Sequence, residues 1–77
     1  MIRYTRHARN SMRLYGILES EVEETLKHPD RFEAEVTRSV AIKRFTDRFE
    51  GFPLKVVYVV ENKATIVIST YPYEKGF

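Results

Sequence analysis

Cysteine is absent from the 77 residues, which excludes disulfides and zinc–thiolate centres and fits a reducing, cytoplasmic setting. No apolar run reaches the length of a membrane span and no stretch has the make-up of a signal segment, so a soluble chain without a membrane partner is expected. The two histidines, His7 and His28, lie far apart in the chain, and without thiols they offer no ligand spacing; no metal and no other cofactor is expected. Gly16, Gly51 and Gly76 are scattered and build no phosphate-cradling loop, which removes P-loop nucleotide chemistry. No Ser/His/Asp arrangement stands at a useful spacing. So short a chain is one domain, residues 1–77, near the lower end of those that fold unaided.

Carboxylates are missing from the first eighteen residues, which carry Arg3, Arg6, Arg9, Arg13 and His7. Read as a helix from Thr5 to Tyr15, this stretch puts Arg6, Arg9 and Arg13 on one stripe, because residues three and four apart share a face. Ala8, Met12 and Tyr15 form the opposite, apolar face, and His7, Ser11 and Leu14 lie along the border. Such a helix has an apolar back and a front suited to a polyanion. The formal charge of +2 conceals segregation: residues 1–18 carry +4, residues 19–35 carry −5 and residues 36–48 carry +3. A positive and a negative face follow. The plainer alternative is a pair of solvated helices, one of them rich in arginine.

Gly16 stands where a left-handed residue closes the first helix. A second helix is expected from Glu19 or Ser20 to His28, with Val22 and Leu26 buried. Its start is either a Ser20–Glu23 capping box or a site two residues earlier; Pro29 stops it. From Phe32 the period changes to two. Phe32, Ala34 and Val36 alternate with Glu33, Glu35 and Thr37 as a charge-protected edge strand. Val40–Phe45 is a second strand, with Val40 and Ile42 on one face and Ala41, Lys43 and Phe45 on the other. Residues 46–53 form a loop. Leu54–Val60, apolar at nearly every position, reads as a central strand. Glu61-Asn62-Lys63 makes a tight turn into a last strand, Ala64–Tyr71.

The expected fold class is therefore α+β: two N-terminal helices packed on a four-stranded, mainly antiparallel sheet, with no evident C-terminal helix. Ile66 and Ile68 are assigned to the helix-covered face. Thr65, Val67, Ser69 and Tyr71, with Val57 and Val59, are assigned to an open one. An open apolar face is a homodimer interface or a partner groove, unless helix coverage wraps further round the sheet.

The segments Tyr4-Thr5-Arg6-His7-Ala8, Met12, Gly16-Ile17, Glu21-Val22-Glu23 and His28-Pro29-Asp30, followed by Lys43-Arg44, Lys55-Val56-Val57-Tyr58 and Ile66-Val67-Ile68-Ser69-Thr70-Tyr71, resemble a known family. It is a family of small bacterial and archaeal domains of unknown function, placed in the RelE/ParE-like toxin superfamily close to the BrnT type. The resemblance covers nearly the whole chain. It implies a toxin of a type II toxin–antitoxin pair, with an antitoxin protein as partner. RelE-like members cleave mRNA, typically on the ribosome and without metal, whereas ParE-like members inhibit gyrase. Many RelE-like ribonucleases place a catalytic residue in a C-terminal helix; here only six residues follow Tyr71, and Tyr71 and Tyr73 are the available substitutes.

A metal-free endoribonuclease needs a base for the 2′-hydroxyl, cations for the phosphorane and an acid for the leaving oxygen. His7 is the expected base or acid, because imidazole titrates near neutrality. Lys43, on the face taken as open, and Arg44 or Arg13 would hold the phosphate, with Arg6 and Arg9 of the same arginine cluster also expected to bind RNA phosphate. Tyr71 would stack on a base or donate a proton. Each has a structural alternative: His7 as a packing histidine, Arg44 as an ion-pair partner of Glu33 or Glu35, Tyr71 and Tyr58 as packing residues. Without catalysis, the same surfaces describe a module that binds nucleic acid or protein.

Overall fold

The computed structural model describes residues 1–75. Two helices lie on one side of a five-stranded sheet: β1 (Ile2–Tyr4), α1 (Arg6–Tyr15), α2 (Glu19–Lys27), β2 (Arg31–Ala34), β3 (Ser39–Lys43), β4 (Leu54–Glu61) and β5 (Ala64–Pro72), with a short 3-10 turn at Phe49–Gly51. The spatial order is β1-β5-β4-β3-β2. Strands β2 to β5 form the expected antiparallel meander. The four-strand expectation is corrected by β1, which pairs in parallel with β5 at Ile2↔Thr65, Arg3↔Ile66 and Tyr4↔Val67. Three residues are too few to display a period, so this strand left no pattern to read. Among the described residues no helix is long and apolar enough to cross a membrane.

Thr5 joins the first strand to the first helix. Its amide donates to the Val67 carbonyl (3.1 Å), and its hydroxyl donates to the Ile68 carbonyl (2.8 Å). The same hydroxyl accepts from the Ala8 amide (3.1 Å), an N-cap worth about 1 kcal/mol. At the other end Gly16 takes φ 67 and closes α1. The second helix begins at the earlier of the two expected sites. Leu18 is its N-cap, and its amide donates to the Glu21 carboxylate (3.0 Å). Asn62 and Lys63 both adopt positive φ, which is the geometry of a two-residue hairpin turn.

The main core lies between helices and sheet: Ala8, Met12, Ile17 and Val22 meet Leu54, Val56 and Val67. Here the expected face assignment is reversed in part. Val67 is fully buried beneath the helices, while Ile68 packs with Val40, Ile42 and Val57 on the other side. The cause is a bulge. Val57 pairs with Ser69 but Tyr58 pairs with Val67, so Ile68 is an extra residue without a partner. Val67 and Thr70, three apart, consequently face the same way, as a β-bulge allows. The face expected to be open is closed at its centre, because Ile68 and Tyr73 pack over Val40, Ile42 and Val57. Two strands are also shorter than expected: β2 ends at Ala34, leaving Val36 fully exposed in the turn, and β3 ends at Lys43.

Candidate nucleic-acid interface

Strand β1 reaches only as far as Val67 along β5. The rest of β5 runs on beside β4, and among the described residues its far edge has no strand neighbour. Helix α1 runs the same way: Thr5 is anchored at Val67 and Ile68, and Tyr15 ends beside Tyr71 and Pro72. At this end a cleft of about 490 Å³ is lined by Tyr15, Lys55, Tyr71, Pro72, Tyr73, Glu74 and Lys75. A second, of about 330 Å³, adjoins it and shares Tyr15, Pro72 and Glu74, with Leu14, Arg48, Phe49, Glu50 and Phe52 as its remaining wall.

The first cleft is aromatic and cationic. Tyr71 stands opposite Lys55 in the ladder. The Lys55 ammonium lies 5.7 Å from the Tyr71 ring centre and 4.7 Å from that of Tyr73, a pair of cation–π contacts. The Tyr73 amide donates to the Pro53 carbonyl (2.7 Å), which holds its ring beside the strand end. Tyr15 at the rim is 48% exposed.

The wall of the second cleft is a strained loop. Asp47, Phe49 and Glu50 all have φ between 55 and 58, a left-handed conformation that costs non-glycine residues free energy. Arg48 holds the loop in place. Its guanidinium donates twice to the Glu21 carboxylate (Nε 2.6 Å, Nη2 2.9 Å) and once to the Gly16 carbonyl (2.7 Å), and it stacks 4.6 Å from the Phe49 ring centre. These bonds keep the Glu21 carboxyl below its ordinary pKa, against the upward push of its burial. One arginine thus ties the loop to the end of α1 and the start of α2.

The structure separates the residues expected to act together. Lys43 lies opposite Leu54, on the helix-facing side of the sheet, not on the side assigned to it. The face reading failed because Lys43 shares its face with Ala41, a residue too small to show which side is buried. Its ammonium donates to the His28 carbonyl (2.9 Å) and so caps the end of α2. Tyr71 faces the other way, in register with Lys55. His7 is exposed in the first turn of α1, about 12 Å along the helix axis from Tyr15 at 1.5 Å per residue. His7, Lys43 and Tyr71 are therefore not gathered around one phosphate. Of the arginines expected to bind phosphate, Arg6 and Arg13 are exposed. Arg9 is engaged with Glu19 (2.6 Å) and lies 4.4 Å from the Tyr4 ring centre. Arg44 donates to the Gly51 carbonyl (2.8 Å), and its amide to Asp30 (2.8 Å). Glu33 and Glu35 have Arg31 (4.0 Å) and Arg38 (3.0 Å) as neighbours.

Sequence reasoning singled out Tyr71, as a catalytic residue, but not its cleft neighbours Lys55 and Tyr15 or the Arg48 anchor. Lys55 is the lone cation in an apolar strand, and that interruption was a signal of a chosen position.

These elements define a small α+β domain, two helices on one side of a mixed sheet, with an aromatic and cationic cleft where the first helix and last strand end together. The chain belongs to a family described as a domain of unknown function, DUF4258, whose model matches residues 4–72. No curated protein and no solved structure matches it.

Proposed function

We propose that this protein binds single-stranded RNA, without cleaving it, in the cleft between Tyr15 and the Tyr71–Tyr73 strand end. The observation that carries the reading is the pair of tyrosines whose rings are held against Lys55. Aromatic rings bordered by cations hold single strands by stacking bases and neutralising phosphates. A base taking a tyrosine face displaces the Lys55 ammonium, which then turns to the adjoining phosphate. Lys75 extends the positive path, and Glu74 supplies an acceptor for base amino groups. Binding rather than RelE-type cleavage is favoured because the base, cation and acid that cleavage requires lie apart.

The test is fluorescence anisotropy with a labelled single-stranded RNA oligonucleotide and its duplex. Single strands are expected to bind more tightly, with affinity falling as salt rises. Tyr71→Ala is expected to weaken binding about tenfold, the loss of one stacked base, and Lys55→Ala to weaken it and flatten the salt dependence. The oligonucleotide should remain intact. Absence of binding at low salt overturns the proposal; cleavage that His7→Ala abolishes replaces it with the endoribonuclease toxin that the family resemblance implies.

A further inference from the structure

The second cleft, of about 330 Å³, shares Tyr15, Pro72 and Glu74 with the first. Its own wall is the strained turn, which brings the Phe49 ring and the Glu50 carboxylate to one cleft, with Phe52 as a further ring. Backbone in so costly a conformation persists only where its surroundings impose it, and such places gather at ligand clamps. Here the imposing contacts are those of Arg48 with Glu21 and Gly16. Arg48 is the only cation among the described residues of this wall, and those same bonds keep it engaged.

The charges left to the cleft are two carboxylates. Glu50 and Glu74 are both exposed, and the ion pairs among the described residues engage other glutamates, Glu19, Glu21, Glu33 and Glu35. Such a place repels a phosphate. It accepts a flat, neutral group with its faces against the rings and its donors toward carboxylate oxygens.

The bases of RNA differ in how they meet that demand. On the Watson–Crick edge of guanine, N1–H and the N2 amino group are neighbouring donors that match the two oxygens of one carboxylate. Adenine and cytosine set a ring-nitrogen acceptor beside the amino group, and uracil flanks its single N–H with two carbonyls. Each would turn an acceptor toward a carboxylate, and a mismatched polar group in a recognition site costs affinity. We propose that the second cleft is a guanine subsite, read by Glu50, for the nucleotide next to the one held at Tyr71. The inference rests on the RNA reading of the first cleft, because the shared wall is what makes the two occupants neighbours in one strand.

Anisotropy tests it with labelled hexauridine and with the same strand carrying one guanine, adenine, cytosine or inosine. Wild type should bind the guanine strand about tenfold more tightly than hexauridine, the discrimination of one bidentate contact. Inosine lacks only the N2 amino group and should lose most of that gain, a comparison that needs no protein variant. E50Q keeps the size of the side chain but replaces one oxygen with an amide donor, and should bring the guanine-to-uracil ratio close to one. In wild type the Glu50 and Gly51 amide resonances should shift more with the guanine strand than with hexauridine. Strands bound alike whichever base they carry overturn the guanine subsite and leave the RNA reading standing. So does a guanine preference that inosine shares in full, or one that a folded E50Q retains. Failure of every strand to bind overturns the RNA reading, and this inference with it.

Discussion

The two sides of the sheet are closed in different ways. On one side Ala8, Val22, Leu54, Val56 and Val67 have no exposed surface and lie under two helices. On the other, Val40, Ile42 and Val57 retain 3–5% and are covered by Ile68 and Tyr73. The first cover is held by caps at both helices and by the Arg48–Glu21 pair. The second includes an aromatic ring, Tyr73, that also lines the tyrosine cleft. Cohesion is concentrated on the helix side, so the opposite side can offer its rings to a ligand without risking the fold.

Equal truncations on the two sides test this contrast. Val67→Ala and Val57→Ala remove the same two methyl groups, about 1.6 kcal/mol in transfer free energy. Beneath the helices the surroundings cannot settle, so a cavity term adds and Val67→Ala is expected to cost about 3 kcal/mol. Ile68 and Tyr73 can close over Val57→Ala, which should cost about 1.5 kcal/mol. In a domain of this size each kcal/mol moves Tm by about 4–8 °C, so thermal melts resolve the difference. Equal losses would break the comparison and make the second cluster as rigid as the first.

Next in size is the acid limb of stability. Glu21 accepts two bonds from Arg48 and one from the Leu18 amide, and its pKa is held below the ordinary 4.5. A carboxyl whose pKa is depressed by folding contributes stability that is present above the unfolded value and is lost as pH falls through the folded one. Wild type should therefore lose Tm steeply as pH falls below about 4.5. Glu21→Gln, which starts lower at neutral pH, should show a flatter acid limb. The ion pairs Arg9–Glu19 and Arg38–Glu35 are about half exposed and should add little to that slope. Parallel limbs for the two proteins would move the acid sensitivity elsewhere and deprive the loop of its anchor.

Most of the architecture was legible because it rests on local signals. Thr5, Gly16 and Pro29 mark helix ends through backbone geometry, and the alternation from Phe32 to Thr37 marks an edge strand. Longer-range facts were not. β1 exists because β5 offers it a free edge, not because Ile2-Arg3-Tyr4 prefers to be extended. The facing of Val67 depends on a bulge that no residue type announces, and Leu54–Val60 is too uniformly apolar to reveal a face by period. At the site, residue chemistry singled out Tyr71 but not its neighbours. Arg48 and Glu21 are 27 residues apart, and Lys43 looked available until the end of α2 was seen to occupy it.

The smallest expected effect lies within the better-packed side. The Tyr4 hydroxyl is buried with no hydrogen-bond partner among the described residues. Burial, with Glu19 and Glu23 nearby, raises the phenol above its ordinary pKa. An orphan polar group costs free energy, whereas replacing it with an apolar group of the same shape is near neutral or favourable. The ring beneath Arg9 persists in phenylalanine, so that contact survives. Tyr4→Phe should therefore raise stability by no more than about 1 kcal/mol, read as a small increase in Tm. RNA affinity should stay unchanged, because Tyr4 pairs with Val67 and lies away from the cleft. A loss of stability would mean that the hydroxyl is satisfied by a buried water. The helix side would then be closed by a polar bridge as well as by packing, and the contrast between the two sides would narrow to the mobility of their covers.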